Sequence, residues 1–322
     1  MAIRKEKFVP MRGLISVEPA LSKKIIADTD GSQGFTRADL YLFLCVSIWG
    51  FNVPLIKLVL NYLDPLAIST LRFGVAGIIF AAMTWARERS LGIQWKHLGL
   101  IIACALAGIT LNQIFFIYAL KNTTSSEVSL LMTSTATFAV LVAWVLGQEK
   151  IKRNFWYSLP VSVSGVALIV LTASGARLSG SWLGDGLGLC TAASWATYTV
   201  LLRPLMNHYS ITKISAYVSL IGVIALLPFD YNQFDPAKFA AVPSNIWLIL
   251  AFCTLGAVLF TNILWYTGIK RLGSSRTAFY GYFQPFVGVV AAFLILQESL
   301  VIWQLLGGIL IIAGLLIYRL RK

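Results

Sequence analysis

The stretch from Ser125-Ser126-Glu127 to Gln148-Glu149 recurs 149 positions later as Ser274-Ser275-Arg276 to Gln297-Glu298. The same displacement carries Val140 onto Val289, Ala143 onto Ala292 and Gly165 onto Gly314. Around these landmarks a five-segment apolar pattern is written twice. An odd number of membrane-crossing segments per copy forces the second copy to enter from the opposite side. Two inverted halves in one membrane chain imply a site between them and motion of one half against the other.

The chain has 322 residues, 58% hydrophobic and only 12% charged, with a mean hydropathy of +0.78. A water-soluble domain with that much apolar surface would aggregate. Segments of roughly 20 apolar residues match a hydrocarbon core of about 30 Å. Ten are predicted, at 39–60, 65–86, 97–120, 124–146, 155–174, 184–204, 211–229, 245–268, 274–296 and 300–318. The expected fold is an all-α integral membrane protein of ten transmembrane helices, in two five-helix inverted-topology repeats with both termini cytoplasmic. The divisions are a cytoplasmic N-terminal tail at 1–38, a first repeat at 39–174 and a second at 184–319.

The formal net charge of +13 raises the question of nucleic acid. Placing the 26 Lys and Arg on the ten spans answers it. All but five fall on one side. Lys121, Arg177 and Lys238 fall on the other, and Lys57 and Arg72 lie inside spans. That bias follows the positive-inside rule, and the basic loops lack the aromatic interleaving of a nucleic-acid surface. The expected partners are the lipid bilayer and a small-molecule substrate, with no nucleic acid. A monomer suffices to hold a complete site, and a homodimer stays open. Residues 1–38 are polar and lack the apolar core of a cleavable signal sequence. A bacterial inner (plasma) membrane is the expected location. Cys45, Cys104, Cys190 and Cys253 lie in apolar spans without metal spacing, so they read as packing residues. No metal and no cofactor are expected.

Several short motifs in order carry a resemblance. Span 1 has Trp49-Gly50-Phe51-Asn52 and span 2 has Leu71-Arg72-Phe73. Each repeat ends its fourth span in a glutamate, Glu149 or Glu298, and centres a glycine in its fifth, Gly165 or Gly314. Over about 39–319 the chain resembles the drug/metabolite transporter superfamily, in its ten-helix EamA-like branch. The resemblance implies a central cavity and export or exchange of small metabolites, often amino acids. One departure is that Thr135-Ala136 stand in the first repeat where the family often has proline, whereas the second repeat keeps Pro285.

Two sets of residues are candidates for function. Gly50 with Pro54, and Gly281 with Pro285, each lie four apart. Proline frees the carbonyl four residues earlier, and at membrane depth something must satisfy it. Asn52 and Gln284 sit beside these breaks and are the expected partners of a hinge. Lys57, Arg72 and Glu127 are the charges near the outer ends of spans 1, 2 and 4. A Lys57–Glu127 or Arg72–Glu127 pair would form a gate or a structural tie. The second set is the cavity set: Trp49, Asn52, Gln113, Phe116, Trp195, Tyr198, Asn262, Trp265, Tyr282 and Gln284. Neutral amides are costly in hydrocarbon unless bonded, so they should face the bundle interior. Rings and amides together suit an amphipathic zwitterion, whose ammonium group gains about 0.5–2 kcal/mol from cation–π attraction.

No Asp, Glu or His is predicted in the middle of a span, which argues against a mid-membrane carboxylate relay. Glu149 and Glu298 read as polar turns that start the next helix. His97 and His208 lie at span ends without a partner in sequence. An intramembrane transferase would need carboxylate clusters or a nucleophile–base pair, and the 13 acidic residues form neither. No catalytic residue is expected. The leading reading is a secondary transporter of small amphipathic metabolites, best matched by amino acids and by export, working by alternating access. Amines, nucleosides and sugars are the alternatives.

Overall fold

The computed structural model describes residues 37–147, 153–172, 181–231, 234–281, 283–298 and 301–320. The expected tail lies outside the described residues up to Thr36. Every regular element among the described residues is helical.

Helix α1 (Arg37–Val59) runs unbroken through Pro54. Pro65 opens α2 (Pro65–Glu88), at a position whose N–H would be unpaired in any case. Arg89 closes it in the left-handed conformation, φ 52°. Helix α3 (Trp95–Asn122) widens to a π-helix at Leu106–Leu111. Helix α4 (Ser125–Val145) opens on a capping box: Thr124 accepts from the Glu127 N–H while Glu127 accepts from the Thr124 N–H. Next along the chain are α5 (Arg153–Thr172), α6 (Ser181–Leu205), α7 (Ile211–Asp230), capped by Ser210, and a short α8 (Pro236–Ala241). Helix α9 (244–280) joins Ser244–Ala251, a π-helical Phe252–Phe260 and Thr261–Tyr280. Helices α10 (Phe283–Leu296) and α11 (Ile302–Leu320) complete the chain. Among the described residues, six segments are long and apolar enough to cross a membrane: α1, α2, α3, α4, α7 and the Ser244–Gly268 part of α9. Shorter apolar stretches lie in α5, α10 and α11.

The loop expected between residues 268 and 274 is absent. Helix continues through Tyr280, and the break falls at Gly281, inside the span expected at 274–296. A single Gly273 weakens a helix by only about 1 kcal/mol. Pro285 is the stronger signal, because in a continuous helix its ring would clash with the carbonyl four residues back, that of Gly281. It sits in the first turn of α10, where a missing N–H breaks no bond. Pro54 and Pro285 are therefore not equivalent: one lies within a helix, the other at a helix start.

The helices pair in a regular way. Gly165 of α5 meets Gly307 and Ile311 of α11, while Gly314 of α11 meets Ser158 and Ser162 of α5. Those contacts make the two helices antiparallel. Helices α2 and α7 are antiparallel too, since Thr70 bonds Asp230 and Gly77 packs on Leu220. Around α1, Gly268 of α9 lies by Leu42 and Val287 of α10 by Gly50. With Trp49 bonded to Thr261 and the Phe43 ring edge-on to that of Phe283, α9 runs against α1 and α10 runs with it. Around α6 the arrangement recurs with α3 and α4. Gly108 of α3 lies by Tyr198 while Asn112 bonds Thr191; Gly184 lies by Thr123 of α4's approach and Gly188 by Leu131.

The α5–α11 crossing has no spare room. A β-carbon at Gly165 would stand 2.5 Å from the Gly307 carbonyl and 2.8 Å from Ile311. Gly165→Ala should lower the thermal midpoint of the detergent-purified protein, by overpacking worth roughly 1–3 kcal/mol. Val163→Ala, on the exposed side of the same helix, should change it little. Equal midpoints for the two variants would show that the crossing is loose.

Candidate functional site

A cavity of about 250 Å³ opens among α1, α2, α3, α4, α6, α7, α9 and α10. Its wall includes Trp49, Asn52, Gln113, Phe116, Trp195, Tyr198, Asn262, Trp265 and Gln284. Tyr282 lies outside the described residues. Of the expected hinge and gate residues, Arg72, Gly281 and Pro285 are on the wall; Gly50, Pro54, Lys57 and Glu127 are not. Sequence reasoning does not find Thr133, Thr135, Ser215 and Ser219, which also line it. A small hydroxyl inside a helix commonly bonds its own backbone, so these four carry no distinguishing pattern.

The aromatic wall is built around Trp49. Its ring stands edge-on to Trp195, 6.2 Å away, and tilted against Trp265 at 5.0 Å. Its Nε1–H is shared between Thr261 Oγ1 at 2.8 Å and the Ala257 carbonyl at 3.1 Å. Trp195 in turn packs on Tyr198 at 5.2 Å. The Tyr198 and Tyr266 hydroxyls lie 3.0 Å apart.

The polar wall lies just beyond the two π-helices. Leu106–Leu111, shifted by 149 positions, falls within Phe252–Phe260. A π turn inserts an extra residue and re-aims the side chains beyond it, and it frequently marks a functional site. Asn112-Gln113 come directly after the first and Thr261-Asn262 after the second. Asn112 Nδ2 donates to the Thr191 carbonyl at 3.0 Å and to Ser194 Oγ at 3.2 Å. Gln113 Nε2 donates to Asn112 Oδ1 at 3.1 Å, and Asn262 Nδ2 to the Val258 carbonyl at 2.8 Å.

The expected partners at the helix breaks are different in the structure. Asn52 does not satisfy a freed carbonyl; its Oδ1 accepts from Arg72 Nη2 at 3.1 Å. The Gly281 carbonyl accepts from the Gln284 backbone N–H at 3.3 Å, not from the Gln284 side chain. Gly50 serves a close approach: a β-carbon there would sit 2.7 Å from Val287.

Neither expected gate pair forms. Lys57 Nζ donates to the Thr123 carbonyl at 2.6 Å and pairs with Glu298 at 3.4 Å. Glu127 accepts from the Thr123 hydroxyl, from the Thr124 N–H and from Gln304 Nε2 at 2.9 Å. Glu127 is spent on its own capping box and on the Gln304 side chain. Nor does Glu298 start the next helix. Its two oxygens accept the N–H and hydroxyl of Ser125 and of Ser126, at 2.8–3.0 Å. It thus caps α4 from 173 residues away, placing a carboxylate at the positive end of that helix. Glu149 lies outside the described residues. The two histidines, unpartnered in sequence, meet in space: their rings stack at 4.6 Å and His97 Nδ1 lies 2.8 Å from the Tyr209 hydroxyl.

Known proteins are similar to this chain in sequence and in fold. The EamA-like transporter family matches residues 36–171 and again residues 182–320. An uncharacterized transporter of Archaeoglobus fulgidus is 30% identical over 283 residues, 87% of this chain and 96% of its own. A probable amino-acid metabolite efflux pump of Salmonella typhimurium is 26% identical over 302 residues, 89% of this chain and 98% of its own. A solved crystal structure, 20% identical, aligns with a TM-score of 0.59 over 88% of this chain and 99% of its own, a likeness of fold.

The cap from Glu298 gives a direct prediction. Glu298→Ala strands four donors, whereas Lys57→Met removes one ion pair and one bond to a carbonyl. A lost cap costs about 1–2 kcal/mol, and buried donors left unpaired cost about 1–3 kcal/mol. Thermal unfolding in detergent should therefore show the larger loss for Glu298→Ala. A larger loss for Lys57→Met would mean that the ion pair, not the cap, holds this end.

Proposed function

We propose, from the premise that the chain belongs to the EamA-like transporter family, that it is a secondary transporter for small amphipathic metabolites. Amino acids are the first candidates and export the preferred direction. The transported solute occupies the central cavity, and two five-helix halves, 39–174 and 184–319, rock around it in alternating access. All ten spans cross the bilayer, and both termini are cytoplasmic.

The observation that carries this reading is the cavity itself. It takes walls from both halves, and it combines apolar rings with amides and hydroxyls that have hydrogen-bonding capacity. Concave, mostly apolar sites with a few placed polar groups are how proteins hold small molecules. The antiparallel run of α5 against α11 and of α2 against α7 supports the inverted arrangement, because a two-fold axis in the membrane plane reverses each helix onto its equivalent. The edge-on meeting of Trp49, in the first span of one repeat, with Trp195, in the first span of the other, supports it further, since equivalent helices that touch must lie near that axis. The relative named as an amino-acid metabolite efflux pump supports the choice of solute.

Counterflow tests the proposal. Proteoliposomes loaded with mixed unlabelled amino acids are expected to accumulate labelled Phe, Thr or Lys saturably. Trp195→Ala and Gln284→Ala should each lower that accumulation by about tenfold or more, the scale of one lost ring or amide contact of about 1.4 kcal/mol. Accumulation unchanged in both variants would place the transported solute elsewhere, and none with any of the three amino acids would overturn the choice of solute.

A further inference from the structure

We propose that Arg72 and Asn52 form an anion-binding end of the cavity, a subsite for the carboxylate of an organic monoanion or zwitterion. It rests on the transport reading above and specifies what the solute must carry.

Arg72 is only 3% exposed and lies on the cavity wall. A guanidinium group keeps its proton at any working pH, so its burial cannot be relieved by neutralisation. A buried cation is ordinarily met by a carboxylate, and left alone it is costly. The ion pairs among the described residues are Lys57–Glu298, Lys213–Glu88 and Lys238–Asp64, and none includes Arg72. Its partners are neutral. Nε and Nη2 donate to the Cys253 carbonyl at 3.4 and 3.2 Å, and Nη2 to Asn52 Oδ1 at 3.1 Å. The Phe73 ring lies 5.6 Å from the guanidinium carbon. Among the described residues, no acceptor meets Arg72 Nη1 or Asn52 Nδ2. Two donors on one wall, one of them charged, are thus left for a ligand oxygen.

The charge balance selects the class of ligand. Among the described residues on the wall, Arg72 is the sole Lys or Arg, and no Asp or Glu accompanies it. One fixed positive charge matches a monoanion. A phosphate monoester carries about −1.5 to −2 near neutrality and would leave charge uncompensated. Chloride matches the charge but has nothing to set against Trp49, Trp265 and Phe116. A carboxylate on an apolar or aromatic body uses both kinds of wall, and its two oxygens suit the planar fork of guanidinium.

Binding to the purified full chain, read from tryptophan fluorescence, tests this with four probes. They are phenylalanine, phenylalaninamide, 3-phenylpropionate and phenethylamine. Phenylalanine should bind about tenfold or more tightly than its amide, the scale of one charge-assisted hydrogen bond. Phenylpropionate should likewise outbind phenethylamine. Arg72→Gln should erase both preferences, and Arg72→Lys should keep part of them. Acid and amide bound alike by the unsubstituted protein, or no binding of any probe, would overturn the subsite. So would a preference that survives in a folded Arg72→Gln. If Arg72→Gln does not fold, the unsubstituted ratio and Arg72→Lys decide. A role for Arg72 confined to tying α1, α2 and α9 together would lower stability without moving the acid-to-amide ratio. Counterflow separates the two readings. Its failure for every solute ends the transport proposal and leaves a carboxylate preference standing. Working counterflow with equal binding of acid and amide ends the subsite alone.

Discussion

Hydrocarbon offers no hydrogen bonds, and most of this structure is an answer to that one fact. The chain meets it first by being helical in every regular element of its described length. It meets it again at many polar side chains in the bundle. Thr199 and Thr267 bond back to carbonyls of their own helices. Trp49 spends its N–H on a hydroxyl and a carbonyl of α9. Glu298 spends both oxygens on the start of α4. Against that background of satisfied groups, unspent capacity is informative. Arg72 and Asn52 keep donors free on the cavity wall, and Ser215, on the same wall, keeps a buried hydroxyl without a partner among the described residues.

Membrane helices gain nothing from hiding apolar surface from lipid, so they associate through close packing. The glycines show where. Gly165 and Gly314, equated by the sequence repeat, lie on opposite sides of one crossing, each facing the other helix. Gly50 admits Val287 where α1 passes α10, and Gly288 admits Ser129 of α4. A small residue that evolved once thus seals an interface twice when two copies are folded against each other. The cavity is what remains where the helices do not close, and Ile109, Ala257 and Val258 of the two π turns are on its wall.

Much of this is legible in the sequence, and the reasons are specific. Amides such as Gln113 and Asn262 cannot face lipid, so composition and depth alone put them on the wall. Trp195 and Tyr198, in mid-span, cannot be interfacial belt residues, and they are not; Trp144 and Trp303, at span ends, are half exposed as a belt requires. Pairing between segments remote in the chain is not legible. Apolar periodicity carries no sign of which carboxylate caps which helix, so Glu298 reads as the start of its neighbouring helix when its donors lie across the bundle. Asp185 carries no signal at a span end, yet it lies buried with one oxygen on the Thr123 hydroxyl. The π turns are hidden because their residues have ordinary helix-forming character, and the extra residue is imposed by packing. The continuous helix to Tyr280 is hidden because Gly273 reads as a breaker ahead of the proline that actually ends it.

The scaffold is nearly symmetric, but the cavity is not. Displacing Arg72 by the repeat length lands on Ile221, and displacing Pro285 back lands on Ala136. One half therefore brings the charge and the other brings the broken helix with Gly281, Gln284 and Pro285 at the wall. Two of the three indoles in the central cluster, Trp195 and Trp265, also come from the second half. A solute with one charged end and one apolar end would lie across the division between halves, its charge on α2 and its body on α6 and α9. Each half then senses a different part of the same molecule. In the proposed alternating access, rocking one half against the other would change the distance between the cation and the rings, and a solute of the right length would couple the two halves through its own covalent frame. A duplicated fold that had stayed symmetric at these positions would bind a two-fold symmetric ligand or none in a defined orientation; divergence at Arg72 and Pro285 is what gives the cavity a polarity to read.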